Sequence, residues 1–189
     1  DQFLEQFEKV AAGWQPGDPQ DRSTRLGPLV SKAQYDRVNS YLELAREEGR
    51  ILFGGGRPEG LDKGYFVQPT AIVDANPSSR ICQEEIFGPV LVAIPWDDEE
   101  EVIRMANQSH YGLAAYVWTR DITRGINAAH AIESGWVQVN QGLAQAPGHS
   151  YGGFKQSGIG REFSLEGMLD SFTQRKNISI NLNTPSKEI

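Results

Sequence analysis

Between Val90 and Val139 the chain twice passes from an apolar run through a helix-start signal into a helical stripe, and this repetition restricts the fold more than any other feature. Val90 to Trp96 is almost wholly apolar. Asp98 with Glu101 forms a capping box before Val102, Ile103 and Ala106. A second apolar run, Ala114 to Trp118, leads to Asp121 as an N-cap, with Ile122, Ile126 and Ala129 on one helix face, and Trp136 to Val139 follows as a third run. Runs that are apolar throughout, rather than alternating, belong to strands covered on both faces. Strand, helix, strand, helix, strand therefore predicts an α/β fold with a parallel sheet layer and right-handed crossover helices.

The flanks carry weaker signals. Phe3, Leu4, Phe7, Val10 and Ala11 recur at helical spacing with no cap before them, so the start reads as cut. After a turn-rich stretch, Ser31 caps a helix whose Val38, Tyr41, Leu42 and Ala45 share a face, and Gly49 is expected as its left-handed C-cap. Ile51 to Phe53 and Ala71 to Val73 read as strands joined through a turn at Gly54 to Gly56. From Asn140 to Gly160 the periodicity stops, as in a functional or disordered loop. A short helix near Glu162 to Leu169 and an alternating strand, Ile178, Ile180, Leu182, are expected at the end.

At 189 residues there is room for one domain and an appendage. The balance of 18 Lys and Arg against 25 Asp and Glu gives a net charge of −7 without long like-charge blocks, which argues against nucleic acid or an anionic membrane as partner. No apolar stretch is long enough for a membrane helix, and the first ten residues are acidic where a signal peptide is basic. Cys82 is the single cysteine, so no intrachain disulfide can form and a cytoplasmic location is expected.

Familiar motifs fail on spacing. No G-x-G-x-x-G dinucleotide fingerprint or G-x-x-x-x-G-K-[ST] phosphate loop is present. Gly148 to Gly152 matches the G-x-S-x-G nucleophile elbow, but no histidine follows Ser150, as the hydrolase order requires. One cysteine and three scattered histidines offer no metal set. Cys82, near Glu84 and Glu85, reads as a structural thiol, since neighbouring carboxylates oppose a thiolate. The pair Glu84-Glu85 before a buried strand needs hydrogen-bond donors. Two ribose hydroxyls would serve, with Phe87 covering a flat ring; a solvated helix end or a salt bridge would serve as well.

At this segment, Gln83-Glu84-Glu85-Ile86-Phe87-Gly88-Pro89-Val90, the chain resembles the aldehyde dehydrogenase superfamily. Further matches, in the family's order, are Gly64-Tyr65-Phe66-Val67-Gln68-Pro69-Thr70, Tyr111-Gly112-Leu113-Ala114-Ala115, Val139-Asn140, and the run from Gly152 to Glu162. The resemblance implies NAD- or NADP-dependent oxidation of an aldehyde to a carboxylic acid. A cysteine thiolate attacks the carbonyl, hydride leaves the thiohemiacetal, and glutamate-activated water hydrolyses the thioester. It implies that Glu85 binds the nicotinamide ribose hydroxyls and that Phe87 packs near the nicotinamide. Tyr151 falls where an aromatic lines the aldehyde tunnel, Gln145 lies in the matching substrate-shaping loop 141–150, and the tail from about Phe172 to Asn183 resembles a homo-oligomerisation strand.

The departures carry equal weight. The glycine-glutamine pair shortly before the nucleophilic cysteine is absent, Cys82 does not align with that cysteine, and Ser150 stands where the family commonly has proline. The nucleophile, the general-base glutamate and the dinucleotide-binding half are expected upstream of Asp1, leaving no catalytic residue here and an incomplete cofactor site. The expectation is thus a C-terminal portion: residues 1–160 as part of the catalytic domain and 161–189 as a helix and oligomerisation arm, inactive alone. The rival is a non-catalytic partner or regulatory subunit that keeps the fold and the arm.

Overall fold

The structure is a computed structural model and describes residues 2–142 and 147–181. The chain divides into two compact units, Asp1–Ser109 and His110–Ile189.

The first unit is organised by helices that begin where the sequence supplies a cap. Helix α1 (Gln2–Ala12) stacks Phe3 on Phe7, and Phe7 meets Phe53 at a ring-centroid distance of 5.7 Å. Helix α2 (Lys32–Glu48) starts after Ser31, whose extended backbone lets its hydroxyl accept the Gln34 N–H at 3.2 Å. Its stripe of Val38, Tyr41, Leu42 and Ala45, spaced for one face, is buried. That stripe shares a core with Val67, Ile72, Ile81 and Ile86.

Strands β1 (Arg50–Phe53), β2 (Thr70–Val73) and β3 (Val90–Val92) form one sheet in that order. β1 runs antiparallel to β2, and β3 runs parallel to β2 with Thr70 opposite Val90. All four residues of the central strand β2 are buried. Helix α3 (Arg80–Gln83) is a single turn between β2 and β3, and helix α4 (Glu99–Asn107) follows β3. Asp98 caps α4 by accepting the Glu101 N–H at 2.8 Å.

Two local expectations are corrected in this unit. Gly49 is extended (φ −165°) rather than left-handed; glycine is required instead by close approach, because a Cβ there would lie 3.0 Å from the Val73 carbonyl oxygen. The ladder of the Val90–Trp96 run ends at Val92, since four-residue β2 is its hydrogen-bonded neighbour.

The second unit contains a parallel crossover. Strand β4 (Tyr111–Gly112) precedes β5 (Ala114–Val117), helix α5 (Ile122–Ala131) and β6 (Trp136–Val139). β5 and β6 pair in parallel from Ala114↔Trp136 to Val117↔Val139. Asp121 caps α5, its carboxylate accepting the Thr123 and Arg124 N–H groups. Gly125 is the buried residue of α5, and a Cβ there would press on Thr119 and Val139. Ile122 of the expected apolar face is 59% exposed.

Strand β7 (Phe154–Lys155) pairs antiparallel with β4, inside the stretch expected to lack regular structure. A two-residue pairing is too short to show a period-2 pattern. Helix α6 (Leu165–Phe172) begins three residues later than expected, because Ser164 caps it through the Gly167 N–H at 3.1 Å.

The α/β character and the succession β3, α4, β5, α5, β6 are as expected, but the single parallel layer is not. β3 belongs to a mixed three-stranded sheet, and β5 and β6 form a separate pair. Apolar runs identify strands without naming their hydrogen-bond partners, and β2, which lies outside the repeat, takes the edge of β3. The expected terminal strand, read as one for oligomerisation, has no ladder within this single chain over 173–181, where Ile178 and Ile180 are 70% and 73% exposed. Strand pairing needs a second backbone to receive its N–H and C=O groups, which alternation alone does not supply. Leu182 lies outside the described residues. Among the described residues no helix is long and apolar enough to cross a membrane.

The central place of β2 has a measurable consequence. Ile72→Ala leaves a void at a fully buried position, and urea unfolding is expected to show a loss of about 2–5 kcal/mol.

Candidate functional site

The segment Glu84 to Gly88 leaves α3 and runs along one side of α2, which grips it residue by residue. The Glu84 N–H closes α3 on the Arg80 carbonyl at 2.9 Å. Its carboxylate accepts two bonds from the Arg80 guanidinium, at 2.8 and 3.0 Å, and one from the Tyr41 hydroxyl. Arg80 first, and then Tyr41, hold the Glu84 carboxyl down from its ordinary 4.5 to about 2. The Tyr41 hydroxyl is pushed up by donating to that carboxylate and by partial desolvation.

At Glu85 the backbone and the side chain have different fates. The carbonyl accepts from Arg37 Nη2 at 2.7 Å, while the exposed carboxylate has no hydrogen bond or ion pair among the described residues. Ile86 is buried in the core, and its carbonyl accepts from Gln34 Nε2 at 3.3 Å. The same Gln34 nitrogen donates to the Phe87 carbonyl at 2.7 Å. Phe87 is 69% exposed and has a left-handed backbone (φ 60°), an uncommon state for a bulky residue that its surroundings must maintain. Gly88 completes the close approach, since a Cβ there would lie 2.7 Å from Val38 Cγ2.

The pair singled out in the sequence is thereby separated into two roles. Glu84 is committed to a salt bridge, one of the structural alternatives for the pair, and Glu85 is left free to accept. An uncommitted carboxylate beside an exposed aromatic ring suits a vicinal diol next to a flat heteroaromatic ring, so these residues fit the nicotinamide riboside moiety. Cys82 is half-buried, packs against the core and receives the Ser79 hydroxyl at 3.3 Å.

Tyr151 lies in the second unit, half-buried within a group of rings. Its ring meets Trp136 edge-on at 5.2 Å and Phe163 at 5.9 Å, and Trp136 in turn meets Tyr116. Its backbone exchanges hydrogen bonds with Glu162 at 3.0 and 2.7 Å. The Gly-rich segment between them folds back on itself: Arg161 donates to the Gly153 and Gly160 carbonyls, and the Ser157 hydroxyl accepts the Gly112 N–H. A Cβ at Gly135 would lie 1.8 Å from the Gly152 carbonyl oxygen, so the residue just before β6 must be glycine. Asn140 takes a left-handed backbone and accepts the Thr119 N–H on its side chain, which ties the end of β6 to the end of β5. Gln145 lies outside the described residues.

Gln34, Arg37 and Arg80 are not singled out by the sequence, which reads Tyr41 only as part of the apolar face of α2. Gln34 and Arg37 are three apart on α2, but polar residues at such spacing read as a solvated face until the opposing segment is known.

The aldehyde dehydrogenase family model matches residues 1–178, and the chain belongs to that family. A hydroxyisobutyraldehyde dehydrogenase of Mycolicibacterium austroafricanum is 43% identical over 189 residues, covering 99% of this chain and 37% of that protein. An aldehyde dehydrogenase of Agaricus bisporus is 44% identical over 97% of this chain and 36% of its own length. The aldehyde dehydrogenase of Mycobacterium tuberculosis, solved with NAD+, superposes with a TM-score of 0.89 at 42% identity, over 97% of this chain and 38% of that one. The chain thus spans well under half the length of these relatives.

The Glu84 salt bridge sets a pH dependence. Because its carboxyl is depressed in the folded state, its contribution is complete above about 4.5 and is lost as pH falls towards about 2. Glu84→Gln is therefore expected to lower the thermal midpoint at pH 7, and the gap from the unaltered chain is expected to close progressively below pH 4.5. A gap that stays constant with pH would remove the carboxylate from the stability balance.

Proposed function

We propose that this chain is the C-terminal part of an NAD- or NADP-dependent aldehyde dehydrogenase that oxidises an aldehyde to a carboxylic acid. The observation that carries the reading is the Glu85 carboxylate, exposed and uncommitted on a segment whose backbone is held at Arg37 and Gln34. Glu85 accepts the hydrogen bonds of the nicotinamide ribose hydroxyls, and Phe87 bears on the nicotinamide ring. When bound, the cofactor supplies the hydride acceptor. Positioning by Glu85 and Phe87 matters because hydride transfer tolerates little misplacement of the reacting carbons.

Tyr151, braced by Trp136 and Phe163, lines the aldehyde passage, and Gln145 is a substrate-binding residue. The cysteine nucleophile and the general-base glutamate come from sequence upstream of these residues, so the isolated chain is inactive. Residues 1–160 contribute to the catalytic domain. Residues 161–189 act as a homo-oligomerisation arm whose exposed Ile178 and Ile180 complete a ladder with another chain. The compartment is the cytoplasm.

The intact mass of the polypeptide in its native source, detected with an antibody against this chain, tests the reading first. A mass far above 21.0 kDa is expected; a mass near 21.0 kDa would favour a non-catalytic partner subunit. In the source enzyme, Glu85→Gln is expected to weaken NAD+ binding and slow hydride transfer about tenfold, with the thermal midpoint unchanged. Unaltered cofactor affinity and kinetics would take Glu85 out of the site.

A further inference from the structure

We infer that Phe163 is a positioning residue that determines aldehyde specificity: held in a strained turn, its ring fixes where the Tyr151 ring stands, and with it the width of the passage. The inference rests on the reading of Tyr151 given above and adds what sets that ring in place.

The backbone at Phe163 is the unusual feature. Its φ of 60° is left-handed, and across it the Ser164 N–H donates to the Glu162 carbonyl at 2.8 Å. A bond between residues two apart around a centre of positive φ is the strained form of γ-turn, and a bulky residue at its centre is an outlier. Three other positions of positive φ in this stretch, 148, 158 and 160, are glycines, which adopt it without steric cost. Lys155, the exception, uses its side chain in an ion pair with Glu133 at 2.9 Å. At 163 a side chain is again kept where the backbone suits glycine. The ring is 43% exposed, so core burial does not account for it.

The turn and Tyr151 are tied through the same peptide groups. The Glu162 carbonyl accepts the Tyr151 N–H at 3.0 Å as well as the Ser164 N–H, and the Glu162 N–H returns to the Tyr151 carbonyl at 2.7 Å. The Phe163 carbonyl accepts the Gly148 N–H at 2.9 Å. The Phe163 ring thus meets the Tyr151 ring at 5.9 Å from a fixed base, and Trp136 meets it at 5.2 Å, both within the range of favourable aromatic pairs. Trp136 is placed separately, by the ladder of β6 and by its own N–H on the Leu113 carbonyl at 3.1 Å.

A tyrosine side chain turns about two angles, and its neighbours decide which orientation stands. Without the Phe163 ring, Tyr151 keeps Trp136 but gains room to swing, and the passage widens. A passage bordered by such rings takes apolar aldehydes, and the clamp on Tyr151 favours slim ones over bulky ones.

The test measures, in the source enzyme, the ratio of kcat/KM for benzaldehyde to that for hexanal, together with the thermal midpoint. Phe163→Gly and Phe163→Asn both remove the ring and leave a residue that accepts the left-handed backbone, so the fold is expected to be retained. Each is expected to raise the ratio about tenfold, whereas Phe163→Tyr, which keeps the ring, is expected to hold it. A ring with only a structural role would move the midpoint and leave the ratio as it was, and that result would overturn the inference. In a Tyr151→Ala background the loss of Phe163 is expected to change the ratio no further, because its effect is transmitted through Tyr151; effects that add in full count against it. If Tyr151→Ala alters the ratio and the ring-less Phe163 variants do not, the inference fails and the reading of Tyr151 survives. If Tyr151→Ala leaves the ratio unchanged, or the unaltered enzyme oxidises neither aldehyde, both fail.

Discussion

The burial of one stripe of α2 governs the first unit. Val38, Tyr41, Leu42 and Ala45 enter the core together with Ile72 of β2, and removing such apolar surface from water is the main favourable contribution to folding. With that face buried, the neighbouring edge of the helix, Gln34, Arg37 and the Tyr41 hydroxyl, is aimed at the segment from Glu84 to Gly88. A single helix thus supplies the hydrophobic anchor on one side and the donors that hold the candidate site on the other. Tyr41 belongs to both, its ring buried and its hydroxyl on Glu84.

The second unit relies less on burial and more on close backbone approach. Gly135 lies against the Gly152 carbonyl, Gly112 against the Glu133 carbonyl, and Gly153 against Ser157, in each case closer than a Cβ permits. The first of these contacts joins the crossover β5–α5–β6 to the loop that carries Tyr151. Gly112, Gly135 and Gly153 are therefore packing residues here. Their spacing follows the points where two stretches of main chain cross.

Much of the local structure was legible because it depends on a few neighbouring residues. Ser31, Asp98 and Asp121 cap the helices they precede, and the apolar stripe of α2 faces the core. Where the sequence reading went astray, the deciding partner was distant or absent. Gly49 reads as a left-handed cap, but its constraint is the Val73 carbonyl. The parallel layer was inferred from strand order, whereas β3 found its neighbour in β2, outside the repeat.

By itself the sequence determined the class of fold, the succession from β3 to β6 through α4 and α5, the family, and the choice of Glu85, Phe87 and Tyr151 as residues of interest. Tertiary structure alone decided which of the two adjacent glutamates is committed to a salt bridge, which strands share hydrogen bonds, and that Gln34 and Arg37 hold the segment. The physical reason is range. Caps and periodicity are interactions between residues three or four apart, whereas the bonds from Tyr41 to Glu84 and from Gln34 to Phe87 span 43 and 53 positions. Such contacts exist only after the core has brought their elements together.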